Sequence, residues 1–104
     1  MKLDEYKMGD ISNNTIRQYI DLNGLKIILL DDSHIPPTEE GCKNLLAIDK
    51  LNNIVWIAEL PAGSLFASYW TIEIKNNGLS ALSGSFRCTI DTETGKIINQ
   101  QFVK

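Results

Sequence analysis

Residues 86–98 read Phe86-Arg87-Cys88-Thr89-Ile90-Asp91-Thr92-Glu93-Thr94-Gly95-Lys96-Ile97-Ile98. Phe86, Cys88 and Ile90 alternate with polar neighbours, the period-two signature of a half-buried strand. Thr92 to Gly95 is turn chemistry. The Asp91 carboxylate before it can accept from backbone N–H groups, and glycine takes positive φ without steric cost. Lys96 to Val103 returns as a second strand. The stretch is therefore a β-hairpin, with Cys88 a small apolar core residue.

The same logic extends backwards through the chain. Ile16, Gln18 and Ile20 share one strand face, with Arg17, Tyr19 and Asp21 on the other. Asn23-Gly24 is a strong hairpin turn. Leu25 to Leu30 returns, and its continuous run Ile27-Ile28-Leu29-Leu30 predicts burial on both faces. Further strands are expected at Asn44–Lys50, Ile54–Glu59, Leu65–Lys75, Leu79–Leu82 and Ser85–Asp91. Turns fall at Leu51-Asn52-Asn53, Asn76-Asn77-Gly78 and Ser83-Gly84. In the fifth strand Trp70, Ile72 and Ile74 form the apolar face; Tyr69, Thr71, Glu73 and Lys75 form the polar one. The best helix candidate, Glu39 to Leu46, is short and contains Gly41. About eight strands, each pair separated by turn residues, argue an all-β antiparallel meander.

The chain has 104 residues, enough for one domain that buries roughly 65% of its unfolded surface. A polar lead-in over residues 1–14 precedes a single β domain over 15–104. The N-terminus lacks an apolar stretch of the signal-peptide kind, and no apolar run approaches the roughly 20 residues of a membrane span. A cytoplasmic protein is expected. Cys42 and Cys88 are far apart in sequence and are expected to be free thiols.

The net charge is −3, and its placement matters more than its size. Residues 1–50 hold nine acids and six bases; residues 51–104 hold four of each. Asp31, Asp32, Glu39 and Glu40 lie in the longest loop, 31–43, with no Lys or Arg among residues 31–40. Pro36-Pro37 excludes a regular strand or helix there. An acidic chain without a basic run is a poor nucleic-acid or membrane binder and suits a basic partner.

Two segments repeat. Leu46-Ala47-Ile48-Asp49-Lys50-Leu51-Asn52-Asn53-Ile54-Val55-Trp56 parallels Cys88-Thr89-Ile90-Asp91-Thr92-Glu93-Thr94-Gly95-Lys96-Ile97-Ile98. The first has Asn52-Asn53 for Thr-Gly and a turn shorter by one residue. The second lacks the Trp, with Asn99 near its place. The pair resembles the blade hairpin of quinoprotein-type β-propeller repeats. A propeller needs at least about four blades, and this chain has material for two. The resemblance thus implies no closed monomeric propeller and no quinone cofactor. It implies blade-like sheets packed as a sandwich or a partly open barrel.

The chemistry-bearing residues favour binding over catalysis. His34 is the single histidine, too few for a multi-histidine metal site. Ser33, His34 and Asp31 are adjacent in a loop, where triad geometry is not expected. Asp31 with Asp32, or Glu39 with Glu40, lacks the apolar walls that tune a catalytic acid. Asp91 and Glu93 supply too few oxygens for calcium. Trp56, Trp70, Tyr69 and Phe66 could line a ligand site, but core packing explains Trp56 and Trp70 better. No catalytic residue, metal or cofactor is expected.

The expected surface for a partner is Asp31, Asp32, His34, Glu39 and Glu40, with Tyr19 and Tyr69 on polar strand faces. Short, acidic and single-domain, the chain is similar in type to small bacterial toxin-immunity proteins. That likeness implies an antitoxin-like inhibitor of a basic nuclease toxin, acting by protein–protein contact in the cytoplasm. The alternative is a self-associating structural or accessory β domain, a homo-oligomer built by pairing open sheet edges.

Overall fold

The structure is a computed structural model that describes residues 16–31, 42–61, 68–76 and 78–103. The lead-in at 1–14, most of the 31–43 loop and Phe66 lie outside the described residues. Those described form eight strands and no helix. They are β1 Ile16–Leu22, β2 Leu25–Leu30, β3 Leu45–Ile48, β4 Ile54–Ile57, β5 Thr71–Lys75, β6 Gly78–Ser83, β7 Phe86–Ile90 and β8 Ile97–Phe102. Within the helix candidate, Leu45 and Leu46 are strand. The strands make two four-stranded antiparallel sheets in simple meander order, β1-β2-β3-β4 and β5-β6-β7-β8. The sheets stay separate and do not close into a barrel, which is the sandwich form of the expectation.

The main core lies between the sheets. Ile27, Leu29, Leu45, Ala47, Trp56 and Ala58 from the first sheet side meet Ile72, Leu79, Ala81, Cys88 and Ile90 from the second. Alternate residues of the first sheet build a second cluster on its other face: Ile28, Leu30, Leu46 and Ile48, with Cys42. The run Ile27–Leu30 is thus buried on both faces, as its unbroken hydrophobicity requires. Cys42 and Cys88 are both buried, and neither forms a disulfide.

The turns follow their residues. Asn23 and Gly24 take φ of 51° and 81°, the two positive values of a type I′ hairpin. The repeated hairpins are built alike. Asp49 Oδ1 accepts from the N–H groups of Leu51 and Asn53; Asp91 Oδ1 accepts from that of Glu93. The left-handed residue is Asn52 in one (φ 63°) and Gly95 in the other (φ 77°). Asp49 N–H closes on Asn53 O, whereas Asp91 N–H closes on Lys96 O, one residue further along. Both hairpins then slip register, at Ala47/Ile48 and at Thr89/Ile90.

The two hairpins also meet. Trp56 in β4 lies against Gly95, and a Cβ on that glycine would come 2.7 Å from the indole Cε3. Trp56 Nε1–H donates to Thr92 O at 2.8 Å. Glu59 N–H donates to Gly95 O, and Glu59 Oε1 accepts from Ile97 N–H at 2.7 Å. At the opposite edge, Gln18 Oε1 accepts from Ile72 N–H at 2.9 Å, while Gln18 Nε2 donates to Ile72 O.

Two expectations fail here. A register shift between Ile16 and Gln18 places Ile16 opposite Leu30 and Gln18 opposite Leu29. One inserted residue flips a strand's facing, so Ile16 and Gln18 do not share a face. The second concerns Tyr69 and Trp70. Tyr69 is 1% exposed and Trp70 is 50% exposed, the reverse of the expected pattern. Alternation holds only within a paired strand, and β5 begins at Thr71. Residue 69 is instead fixed by Asn44, whose Oδ1 accepts from Tyr69 N–H at 2.9 Å and whose Nδ2 donates to Tyr69 O at 2.8 Å.

Gly95→Val should cost about 3 kcal/mol or more, summing left-handed strain with overpacking against Trp56. Gly84 also has positive φ (58°) but nothing within 4 Å of its Cβ position. Gly84→Ala should therefore cost only about 1–2 kcal/mol. Urea melts of both variants separate the two terms, and equal losses would show that the indole contact contributes nothing. Trp56→Ala should cost about 3–5 kcal/mol through the cavity it leaves, read from the same melts.

Candidate functional site

Of the seven residues expected to meet a partner, Tyr19, Asp31 and Tyr69 are described. Asp32, His34, Glu39 and Glu40 lie outside the described residues. Tyr19 is 59% exposed. It stands on the outer side of β1, opposite Ile28, with Lys26 Nζ 4.9 Å from its ring centroid. Asp31 follows β2 and is half-buried, and Arg17 Nη2 lies 3.9 Å from its Oδ1. The 31–40 stretch has no base of its own, but the β1–β2 pairing supplies one. At such exposure the pair is worth little in stability; it does soften the negative field at Asp31.

Tyr69 is no surface residue. Its hydroxyl donates to Glu59 O at 2.5 Å, and its ring belongs to the main core. Burial pushes the phenol far above its ordinary range, with Cys88 beside it adding to the shift and Glu59 after that. Burial likewise raises the Cys88 thiol, partly offset by its side-chain interaction with Tyr69. Tyr69 and Tyr19 therefore belong to different environments and form no common face.

The depressions of the described surface include two lined by charged side chains. One, of about 320 Å³, lies at the turn end of the first sheet and includes Asp21, Lys26, Asp49 and Lys50. Its charges balance, and the Asp49 carboxylate is already engaged by its own turn. The other, of about 350 Å³, lies on the outer face of the second sheet, along Lys75, Ser80, Arg87, Thr89 and Gln101. Sequence reading singled out none of these as site residues. Arg87 and Thr89 stand on the polar phase of β7, but only the strand register brings Ser80 and Gln101 beside them. Among the described residues no group of three or more His, Cys, Asp or Glu is placed to hold a metal. The largest exposed apolar side chains include Leu51, Ile98 and Phe102.

Architecture and surface together define a small all-β domain of two linked four-stranded meanders. The chain belongs to the family described as Domain of unknown function (DUF7957), whose sequence model matches residues 11–102. No curated protein and no solved structure matches it. Among the described residues no helix is long and apolar enough to cross a membrane.

The Tyr69–Cys88 pair predicts alkaline sensitivity. The fold holds both groups protonated where the unfolded chain would release the protons. Stability is then full at neutral pH and falls as pH rises through the unfolded values, about 8.5 for Cys and about 10 for Tyr. Urea midpoints should decline from about pH 9 upward, and Tyr69→Phe should flatten the decline. Phenolate absorbance from all three tyrosines in the still-folded protein near pH 10 would contradict the burial of Tyr69.

Proposed function

We propose that this chain is a non-catalytic binding protein that neutralises a basic protein partner, as an immunity protein neutralises a bacterial nuclease toxin. Charge placement carries this reading. The described residues hold seven carboxylates and seven Lys or Arg side chains, so the sheet framework is neutral. The chain's net −3 resides in the remaining segments. One of them, 32–41, interrupts the first sheet's meander between β2 and β3 and holds Asp32, Glu39 and Glu40 with no Lys or Arg. A cationic active-site cleft is the complementary surface, and charge complementarity of this kind acts chiefly on the rate of capture.

A second reading is self-association. Ile98 and Phe102, 66% and 65% exposed, lie on β8, an end strand of the second sheet. An apolar edge strand is a template for pairing with another chain. Light scattering across a concentration series distinguishes the two: a concentration-dependent dimer that Phe102→Lys abolishes favours this reading.

Capture by the tagged chain from its native host, followed by assay of the retained protein, tests the inhibitor reading. The expected result is a basic protein whose nuclease activity falls in proportion to added chain. Asp32→Lys with Glu39→Lys should slow association with that protein about tenfold or more at low salt. The difference should shrink near physiological ionic strength, where the Debye length is about 8 Å. Stability should change by no more than about 0.5 kcal/mol. Equal association rates at low salt would refute the role of these carboxylates.

A further inference from the structure

We infer that the outer face of the second sheet is a binding site for an oxyanion group, the phosphate or carboxylate of a small ligand. Register assembles it. Ser80 in β6 stands opposite Thr89 in β7, and Arg87 in β7 stands opposite Gln101 in β8. These four polar side chains form one block across three strands. Lys75 at the end of β5 pairs with Gly78, which has no side chain to fill the space. The result is the depression of about 350 Å³, near the lower end of small-molecule sites.

Two atoms of this block point to a missing partner. Ser80 is 6% exposed, and its Oγ makes no hydrogen bond. Arg87 Nε is buried and unpartnered as well. Buried polar atoms are nearly always satisfied, and leaving one unmade is costly. Here two adjacent strands leave one each, both in residues that line the same depression. Both are donors: a hydroxyl, and an N–H that carries part of a guanidinium charge.

The chemistry selects an anion. Among the described residues Lys75 and Arg87 are the charged ones lining the depression, and no carboxylate lines it. Glu73, opposite Ser80 on β5, is exposed and stands outside the lining. The Nε–H and a terminal N–H of arginine form a fork that matches two oxygens of a carboxylate or phosphate. The Ser80 and Thr89 hydroxyls and the Gln101 amide add neutral donors. Because Ser80 Oγ and Arg87 Nε are shielded from solvent, the Arg87 side chain must turn as the anion enters. Its several rotatable bonds allow this without movement of the sheet.

The test is titration of the intact protein with sodium phosphate and, separately, sodium acetate, with sodium chloride at matched ionic strength. Backbone amides of Ser80, Arg87, Thr89 and Gln101 and the Arg87 Nε–H are followed by nuclear magnetic resonance. The expected result is saturable shifts confined to this face with phosphate or acetate, absent with chloride. Saturation first by phosphate identifies a phosphate-bearing ligand, and first by acetate a carboxylate-bearing one. Arg87→Lys, which keeps the charge and removes the fork, should weaken binding about tenfold, the worth of one charge-assisted hydrogen bond. Ser80→Ala should weaken binding too, yet leave the melting temperature unchanged or higher, because it deletes an unsatisfied hydroxyl. Shifts that match chloride, or a Ser80→Ala variant that loses stability while binding anion normally, would overturn the site.

Discussion

The packing of Trp56 on Gly95 is the constraint around which the two sheets are arranged. An indole can lie that close to a backbone only where no Cβ intervenes, and a hypothetical Cβ at Gly95 would sit 2.7 Å from the ring. The same glycine must also take positive φ to close its hairpin. One residue type satisfies both demands. The contact is polar as well as apolar, since the indole N–H reaches Thr92 O and the Glu59 backbone and side chain hold Gly95 and Ile97. A large aromatic side chain buried with its N–H satisfied contributes both area and orientation. The turn of one sheet is thus gripped by the last strand of the other.

Polar clasps elsewhere complete what this contact begins. Hydrophobic burial is non-directional and would allow the sheets to slide. Gln18 pairs its amide with both backbone groups of Ile72, as a neighbouring strand would. Asn44, fully buried, spans Leu30 O and both backbone groups of Tyr69. Each fixes a distance between segments far apart in sequence. Their removal would strand buried partners, so they specify one arrangement of sheets that the apolar core alone leaves under-determined.

The local elements were legible in the sequence because their causes are local. Asn23-Gly24, Gly84 and Gly95 mark turns by their tolerance of positive φ, and the run Ile27–Leu30 announces burial on both sides. The repeat around Asp49 and Asp91 was also legible, down to its one-residue difference: asparagine takes the left-handed position in the shorter turn and glycine in the longer. What failed depended on contacts between distant residues. The bulge at Arg17 inverted the facing of Ile16. Asn44 turned Tyr69 inward from a position that simple alternation placed in solvent. Asp31 received Arg17 from the paired strand. The polar block of Ser80, Arg87, Thr89 and Gln101 was invisible for the same reason: it exists only once three strands are in register.

These observations divide the chain into a framework and its charges. The framework is electrically neutral, buries Tyr69 and Cys88 as protonated core groups, and commits its carboxylates at Asp49 and Asp91 to turns. The carboxylates in excess lie outside it, in residues 1–10 and 32–40. The proposed electrostatic capture draws on that excess charge, with the neutral sheet pair as its support. The cationic depression on the second sheet lies within the framework instead. Its residues are fixed by register, so changing one strand pairing would dissolve it. Any ligand of that face is therefore coupled to the integrity of β6, β7 and β8, and through Gly95 to the grip of Trp56 on their connecting turn.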